Sequence, residues 1–404
     1  MARLATVSAV VTALAVTSCA APVVFDRATS SSTAATRGTS EGCAVPSGSD
    51  AFTSAPPEDV DLDPAAVRDA VAFASANLAS TVRIYRRNCL VATSGNDALA
   101  AETPVNLWSA TKGVVSILTG RAVTLGRLGL DDPVGAHLAV ADPAHAVITV
   151  RQLLTQTSGL RFAWLNEINP SLPDSVAHTL TLPFDHPPGT WFEYAQTPVT
   201  LLAAVVEAAV GQDLQDFAAT ELFEPLGITR DRWWWSRDVA GHTVGYASLS
   251  MRPIDLVRLG TLLLDGGRWG DRQLLDPDYV AAMSAPSPTN PGYGYLVWTN
   301  QGTWHHTASI LVRQRRDRRW LPSAPPDLYA LSGLGDQLVD VVPSLDLVVV
   351  RTGAFGGEGW HHEFFRRLMR GVRDAAIPDP GPFPGDLPPS FDLWKGLDPS
   401  TWPA

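Results

Sequence analysis

The stretch "NLWSATKGVVSILTGRAVTLGRL", residues 106–128, decides how this chain of 404 residues is interpreted. It places Ser109 three residues before Lys112, and the chain has only one other lysine, Lys395, among its 30 Lys and Arg residues. A guanidinium stays protonated in proteins, whereas a buried ammonium can lose its proton. The lysine at this position is therefore a cation that could act as a base. The same spacing also fits the start of an ordinary surface helix.

The spacing of Ser109 and Lys112 suits nucleophilic catalysis. Positions i and i+3 lie on the same face of a helix, so the two side chains meet if a helix begins at residue 109. A serine hydroxyl needs a base within hydrogen-bond reach, and burial lowers the pKa of a lysine towards a useful value. The apolar residues after Lys112 provide that burial, and N–H groups at a helix N-terminus can stabilise an oxyanion.

The composition limits the class of protein. Hydrophobic residues make up 45% of the chain and charged residues 18%, which is enough apolar side chain for a large core. The net charge of −11 argues against a nucleic-acid partner, because no basic excess is available to neutralise phosphates. No stretch reaches the roughly 20 apolar residues of a membrane-spanning helix.

The N-terminus predicts export from a bacterial cell. Residues 1–19 contain one arginine and then a short apolar run, as in a signal peptide. The letters "VTSC" at residues 16–19 resemble a lipobox, in which the cysteine receives a lipid. We expect Cys19 to anchor the protein at the outer face of the cell membrane; if Cys19 is incidental, the protein is secreted. Residues 20–50 are predicted to form a flexible tether.

Two further cysteines, Cys43 and Cys89, complete the three in the chain. In an exported protein they could form a disulfide that joins the end of the tether to the first strand region. The alternative is a pair of free buried thiols.

Local patterns predict the first elements of the folded domain. Residues 63–78 have apolar positions at helical spacing, with Asp63 as N-cap and a proline in the first turn. Residues 81–94 predict a β-hairpin that turns at Arg87 and Asn88.

The order of the remaining patterns predicts an α+β fold. A buried helix follows Lys112, and residues 150–285 are mainly helical. Strand patterns then return at residues 292–298, 328–334, 336–343 and 346–353, and a last amphipathic helix follows at 361–375. Ends that supply one antiparallel sheet flanked by helices, and a middle that supplies a helical lobe at about 125–285, give a two-lobe domain over 51–376. We expect a loop at 313–319 and a proline-rich tail over 377–404.

Several linked motifs resemble the class C branch of the serine β-lactamase and penicillin-binding protein family. S-x-x-K is the first motif of these enzymes, and here it is followed by "GRLGLDDPV" at residues 126–134. The further similar segments, in the same order, are "ITVRQLLTQTSGL" (148–160), "YAQTPVTLLAAVVEAAVGQDLQDFAATELFEPLGI" (194–228) and "MRPIDLVRLGTLLLDGGRW" (251–269). The resemblance covers about residues 60–372 and implies a β-lactamase/transpeptidase-like fold.

The resemblance also implies roles for individual residues. Ser109 would be the nucleophile, Lys112 its proton acceptor, and Tyr194 a phenolic acid or base that also serves deacylation. Without the resemblance, Tyr194 would be interpreted as an aromatic residue capping the helix that follows it. Gln196 stands where the family usually has asparagine, so its contact with a substrate carbonyl is less certain to be kept.

The third motif of the family departs from Lys-Thr-Gly. Leu331, Ser332 and Gly333 occupy its place, and the N–H of Leu334 could join that of Ser109 in an oxyanion hole. Relatives use the missing cation to bind a substrate carboxylate, so we expect an apolar pocket at Leu331 and a preference for neutral esters or amides. If a carboxylate is bound after all, Arg351 is the candidate to bind it.

The sequence therefore predicts an exported serine hydrolase that acts on small esters or amides, similar to the family's esterases and 6-aminohexanoate-oligomer hydrolases. One alternative is a penicillin-binding D,D-carboxypeptidase or a β-lactamase. The other is a non-catalytic envelope lipoprotein on the same fold that recognises peptidoglycan-like ligands. No cofactor is expected. The pairs at 305–306 and 361–362 are histidines without nearby carboxylates at ligand spacing, so no metal is expected either. One ring of Trp233–Trp235 could line the acyl pocket, although core packing is the commoner use of such residues.

Overall fold

The structure is a computed structural model that describes residues 42–140, 142–162, 167, 172–308 and 313–385. The predicted signal peptide, Cys19, most of the tether over 20–50 and the last part of the predicted tail lie outside these residues. In the described ranges, no helix has the length and apolar character needed to cross a membrane.

Along the described chain, helices predominate in the middle and the longer strands lie towards the two ends. The helices are α1 (Pro64–Ala76), α2 (Asp97–Ala100), α3 (Thr111–Thr124), α4 (Pro143–Ala146), α5 (Val150–Leu154), α6 (Ser175–Thr179), α7 (Thr197–Val210), α8 (Leu214–Ala218), α9 (Pro253–Leu264), α10 (Pro277–Ser284) and α11 (Trp360–Met369). The strands are β1 (Ala79–Arg86), β2 (Cys89–Thr93), β3 (Val105–Asn106), β4 (Trp233–Trp235), β5 (Leu249–Met251), β6 (Arg268–Trp269), β7 (Arg272–Gln273), β8 (Trp298–Thr299), β9 (His305–His306), β10 (Arg315–Arg316), β11 (Tyr329–Gly333), β12 (Gln337–Val342) and β13 (Leu347–Gly353).

A six-stranded sheet joins the two ends of the domain. Its strand order is β2-β1-β13-β12-β11-β8, and each neighbouring pair is antiparallel. The N-terminal hairpin thus lies beside β13, the last strand in the described part of the chain. The predicted fold class, an antiparallel sheet flanked by helices with a helical middle, is confirmed.

Helices cover both faces of this sheet. On one face, α1 and α11 bury apolar side chains such as Val67 and Phe365 against Val82 and Val349. On the other face, α9 packs on β12 and β13, and α3 packs between β11 and α7. Helix α3 is buried along most of its length, which explains its apolar sequence and places its first turn at the edge of β11.

The local predictions near the N-terminus are confirmed. The Asp63 carboxylate accepts hydrogen bonds from the N–H groups of Ala65 and Ala66, which caps α1. The β1–β2 turn has φ of 49° at Arg87 and 63° at Asn88. Two left-handed residues in succession are the geometry of a two-residue hairpin turn whose twist matches the strands.

Cys43 and Cys89 form a disulfide in the structure. The bond closes a loop between residues 46 positions apart and fixes the start of the described chain to β2. A loop of this length typically contributes about 2–4 kcal/mol to the free energy of unfolding.

Two predictions about strands and loops are wrong in part. Over 292–298, the structure has a strand only from Trp298, because the chain turns back between Gly294 and Val297 and Leu296 adopts a φ of 57°. Within 313–319, β10 pairs with β9 instead of remaining a loop. The described part of the predicted tail, 377–385, has no regular secondary structure and lies against α11.

Candidate active site

Ser109 lies in a 3-10 turn, Trp108–Ala110, between β3 and α3. The Trp108 N–H donates to Asn106 Oδ1 at 2.8 Å, and Trp108 has a φ of 48°. This left-handed conformation is strained for a bulky residue, so the surroundings must hold the turn in place. The α-helix itself begins at Thr111, two residues later than the sequence suggested, yet Ser109 and Lys112 still face each other.

The Lys112 side chain is completely buried and ends beside Ser109. Its Nζ lies 3.0 Å from Ser109 Oγ and 3.1 Å from the carbonyl oxygen of Tyr246, and it also donates to Gln196 Oε1. The Gln196 and Tyr246 oxygens can only accept hydrogen bonds. A neutral Lys112 would therefore donate both N–H bonds to them and direct its lone pair at the Ser109 hydroxyl. Gln196 thus contacts Lys112 in this structure.

Burial lowers the pKa of Lys112 from 10.5 to about 7, and the negative charge of Glu167 acts in the opposite direction. The Glu167 carboxylate is also buried, and it accepts hydrogen bonds from the N–H groups of Gln196 and Thr197 and from the Thr197 hydroxyl. These donors favour its charged form, although burial raises the pKa of Glu167 overall. The charge of Glu167 therefore keeps the pKa of Lys112 higher than burial alone would make it.

Glu167 and the Tyr246 carbonyl are parts of the site that no sequence pattern indicated. Glu167 follows no helical or strand pattern that would have placed it near Lys112. Tyr246 contributes its backbone carbonyl, which every residue type has. Neither position carries a local signal, because both depend on how distant segments pack around Lys112.

The Tyr194 hydroxyl also lies beside Ser109. Gln156 holds its neighbours, because the Gln156 carbonyl accepts from the Glu193 N–H at 3.0 Å and its side-chain oxygen accepts from the Ala195 N–H at 2.7 Å. Burial raises the pKa of Tyr194 to about 12, and its hydroxyl is hydrogen-bonded to Ser109. The phenol is therefore protonated at neutral pH and can donate a hydrogen bond beside Ser109.

Strand β11 passes directly along the Ser109 turn. A Cβ atom at Gly333 would lie 2.0 Å from the carbonyl oxygen of Leu107, so only glycine allows the strand to approach this closely. The approach puts Ser332, Gly333 and Leu334 into the wall of the cleft that contains Ser109.

The structure corrects the expectation for Leu331. Its side chain is 1% exposed and packs into the notch of Gly113 in α3, where a Cβ would lie 2.3 Å from Leu331 Cγ. Successive side chains of a strand point to opposite faces, and that of Leu331 points into the core instead of into the cleft. Leu331 therefore packs β11 against α3 and does not form an apolar substrate pocket.

Arg351 is also placed elsewhere than expected. Its guanidinium is buried and donates to backbone carbonyl oxygens, those of Asn77, Gly335, Asp336 and Ala354. It is not among the residues that line the cleft. The proposal that Arg351 could bind a substrate carboxylate is therefore wrong in this structure.

Ser109 and Tyr194 line a cleft of about 640 Å³. Aromatic side chains form much of its wall, namely Trp298, Trp320, Phe355, Trp360 and Phe383, whereas none of Trp233–Trp235 takes part. Among the lining residues that the structure describes, those with a full charge are Arg318, Asp336 and Glu358. Two carboxylates against one guanidinium make the cleft unfavourable for an anionic substrate.

The histidines near the cleft have protein partners. His305 Nδ1 lies 3.0 Å from the carbonyl oxygen of Arg318, and His361 Nε2 lies 3.1 Å from Asp340 Oδ2. Across the part of the chain that the structure describes, no three His, Cys, Asp or Glu side chains are grouped so as to hold a metal ion.

Comparison with known proteins identifies a family model that covers the residues of this site. The family model described as Beta-lactamase matches residues 82–351, which is more than half of the chain. The matched range contains Ser109, Lys112, Tyr194 and the segment Ser332–Leu334.

Two curated relatives with similar sequences are esterases by name. Esterase EstB of Burkholderia gladioli is 29% identical over 194 residues, which are 42% of this chain and 49% of that protein. Lovastatin esterase of Penicillium rubens is 28% identical over 189 residues, which are 40% of this chain and 46% of that protein. The chain thus spans about half the length of these curated relatives.

Solved structures show the same fold. A putative β-lactamase from Bacteroides dorei aligns with a TM-score of 0.61 at 18% identity, over 76% of this chain and 99% of that one. A putative 6-aminohexanoate-dimer hydrolase from Bacillus anthracis also gives a TM-score of 0.61, at 14% identity, over 82% of this chain and 89% of that one.

The protonation of Lys112 can be measured directly, because the chain has only two lysines. We expect a ¹³C-lysine NMR titration of the folded protein to show one Cε resonance with a midpoint at about pH 7, because burial lowers the pKa of Lys112. Lys395→Arg identifies the remaining signal as Lys112. Replacement Glu167→Gln should move the midpoint below that of the unmodified protein, because it removes the charge that favours the ammonium. A Lys112 midpoint near 10 would contradict this description of the site.

Proposed function

We propose that this chain, which belongs to the beta-lactamase family, is a serine hydrolase that cleaves neutral esters or amides through an acyl-serine intermediate. The main observation in favour of this proposal is the hydrogen bonding of the Lys112 amine. Its Nζ lies 3.0 Å from Ser109 Oγ, and its other two partners can only accept hydrogen bonds. A buried lysine with a pKa of about 7 is a usable base at neutral pH.

In the proposed acylation step, Ser109 Oγ attacks the carbonyl carbon of the substrate while its proton passes to Lys112 Nζ. The Oγ–C bond forms and the carbonyl oxygen becomes an oxyanion. When the oxyanion collapses, the bond to the leaving group breaks and the leaving oxygen or nitrogen takes up a proton. The Tyr194 hydroxyl is protonated and hydrogen-bonded to Ser109, so it is placed to pass on the proton that Lys112 received.

Deacylation reverses these roles with water as the nucleophile. A water molecule attacks the acyl carbon and loses a proton to the Lys112–Tyr194 pair. The Ser109 Oγ–C bond then breaks, and the pair returns this proton to Ser109 Oγ. The products are the free acid and the regenerated serine. No atom outside the substrate, the water and these side chains is needed.

We assign the oxyanion hole to the backbone N–H groups of Ser109 and Leu334. Support comes from Gly333, whose missing side chain brings the end of β11 against the Ser109 turn. Donors that are fixed before the reaction stabilise a developing oxyanion without reorganisation.

The preference for neutral substrates rests on the cleft. Its aromatic wall favours apolar groups, and Asp336 and Glu358 oppose a carboxylate. The names of EstB and lovastatin esterase support ester hydrolysis. A D,D-carboxypeptidase or β-lactamase activity would need a cation to bind the substrate carboxylate, and Leu331 and Arg351 do not supply one to the cleft. Arg318 does line the cleft, but it packs on the Phe383 ring and shares the lining with the carboxylates of Asp336 and Glu358. A non-catalytic role would leave the Ser109–Lys112–Tyr194 arrangement without a use.

Replacement of the nucleophile tests the mechanism. We expect Ser109→Ala to abolish both the turnover of p-nitrophenyl acetate and the mass increase caused by a fluorophosphonate, because no hydroxyl remains to be acylated. The measurements are initial rates and intact-mass spectrometry on purified protein. Ser116→Ala is the matched control, since Ser116 lies in α3, the helix that follows Ser109, and its hydroxyl bonds with that of Tyr279. Labelling that persists in Ser109→Ala would reject Ser109 as the nucleophile.

The charge of the cleft leads to a prediction about substrates. We expect kcat/KM for a neutral p-nitrophenyl ester to exceed that for nitrocefin, which carries a carboxylate. Glu358→Gln should lower the ester-to-nitrocefin ratio of kcat/KM about threefold, the size expected for removal of one partly exposed charge. Glu224→Gln removes an exposed carboxylate that does not line the cleft and should leave the ratio unchanged. A native preference for nitrocefin would mean that another group binds the carboxylate.

We propose in addition that the protein is exported and held at the membrane by a lipid on Cys19. The support is the lipobox-like "VTSC" at residues 16–19. In a bacterial host with lipoprotein processing, we expect Cys19→Ser to move most of the protein from the membrane fraction to the medium. Serine lacks the thiol that would receive the lipid, so the variant has no anchor. Fractionation and immunoblotting measure this. Equal membrane association of both forms would argue against a lipid on Cys19.

A further inference from the structure

One wall of the cleft is a continuous row of aromatic rings. Tyr194 stacks on Trp298 with ring centres 5.9 Å apart, and Trp298 stacks on Trp320 at 5.8 Å. Trp320 then contacts His361 edge-on at 5.5 Å, and His361 stacks on Trp360 at 5.2 Å. The row begins at the proposed catalytic tyrosine and ends at the first residue of α11.

Phe383 packs at the far end of this row. Gly359, the residue before Trp360, has a φ of 72°, and a Cβ there would lie 2.6 Å from the Phe383 ring. Glycine is thus needed both for the backbone conformation and for the space that the ring occupies. Phe383 is half-buried and lines the cleft that also contains Ser109.

Two ion pairs hold the start of the segment that carries Phe383. Asp379 Oδ1 lies 2.6 Å from Arg366 Nε, and Asp379 Oδ2 lies 3.0 Å from Arg370. Asp379 Oδ1 also accepts from the N–H of Gly381 at 2.9 Å, which closes a turn towards Phe383. Single exposed ion pairs contribute little, but here both arginines bind the same carboxylate.

A buried histidine fixes the middle of the segment. His362 Nε2 donates to the Gly381 carbonyl at 3.0 Å, and the His362 ring also packs on Phe383 with centres 5.6 Å apart. The contacts with the segment come from residues 362 and 366 in α11 and from the residues that flank the helix, 359 and 370. These positions are spaced three, four and four apart and so lie on one helix face. The segment follows this face back to the cleft and places Phe383 at the N-terminal end of α11.

We propose that Phe383 is a specificity-determining residue that limits the length of the apolar group accepted by the cleft. This inference rests on the proposed hydrolase function. A hydrocarbon chain attached to the acyl carbon at Ser109 would follow the aromatic row and stop at the Phe383 ring. The preferred substrates are then esters with short or medium apolar groups. Sequence positions 379–383, outside the segments that resemble the family, thus take part in substrate selection.

The test compares p-nitrophenyl butanoate with p-nitrophenyl decanoate, so that the leaving group stays constant. We expect Phe383→Ala to raise the decanoate-to-butanoate ratio of kcat/KM about tenfold, the effect of admitting one or two further methylenes. Asp379→Asn should raise the ratio in the same direction, because it weakens the ion pairs with Arg366 and Arg370 that position the segment, although the Phe383 side chain itself is unchanged. A second series compares butyl acetate with decyl acetate. It tests the case in which the cleft binds the apolar chain of the leaving alcohol instead of that of the acyl group.

Matched variants distinguish a change in chain-length preference from a general loss of folding or activity. Phe383→Tyr keeps the ring and should keep the ratio, and Trp234→Ala removes a ring that is 60% exposed and outside the cleft, so it should also keep the ratio. Thermal unfolding of each variant shows whether the fold is retained. If the ratio stays within twofold of the native value in Phe383→Ala in both ester series, or falls, the proposal is overturned.

A binding experiment distinguishes failure of this inference from failure of the proposed function. In the Ser109→Ala background, calorimetry with butyl and decyl methyl ketones, which are neutral and not hydrolysed, measures the cleft without catalysis. Tighter binding of the decyl ketone on adding Phe383→Ala supports the length limit even if no ester is turned over. Unchanged ketone binding, with normal fluorophosphonate labelling of Ser109 in the native protein, overturns the length limit and leaves the hydrolase function standing.

Discussion

The burial of the Lys112 ammonium is the constraint on which the rest of the site depends. Lowering its pKa from 10.5 to about 7 corresponds to disfavouring the charged form by about 5 kcal/mol. The neutral amine still needs hydrogen-bond acceptors for its N–H groups, and Gln196 Oε1 and the Tyr246 carbonyl oxygen are those acceptors. The third direction remains for Ser109, so the same burial that costs stability produces the base.

Those partners come from distant parts of the chain. Lys112 lies in α3, Gln196 directly before α7, and Tyr246 in the loop before β5. Strand β11 adds the other wall of the cleft, and it can do so because Gly113 and Gly333 let it pack closely on α3 and on the Ser109 turn. The sheet and the helical middle must therefore assemble correctly before Lys112 has its three contacts. The site is a property of the whole domain and of no single motif.

This dependence explains what the sequence could and could not predict. The Asp63 cap and the Arg87–Asn88 turn were predicted correctly, because each depends on neighbouring residues. The pairing of Ser109 with Lys112 was also correct, since a spacing of three needs only one turn of helix. Glu167 could not be found, because its position follows from long-range packing. Leu331 was placed on the wrong side of its strand, because a motif gives the place of a residue along a strand but not the face that is buried.

Burial lowers the pKa of both a lysine and an arginine in this protein, but only the lysine comes to titrate near neutral pH. Burial lowers the pKa of Arg351 from 12.5 to about 10, so its guanidinium stays charged at neutral pH and binds backbone carbonyls. Burial lowers the pKa of Lys112 to about 7, so its amine is partly neutral. The ordinary pKa of each group, rather than its degree of burial, decides whether it becomes a structural cation or a base. A chain that otherwise uses arginine can therefore bury positive charge for structural purposes in several places and still have a single titrating amine beside Ser109.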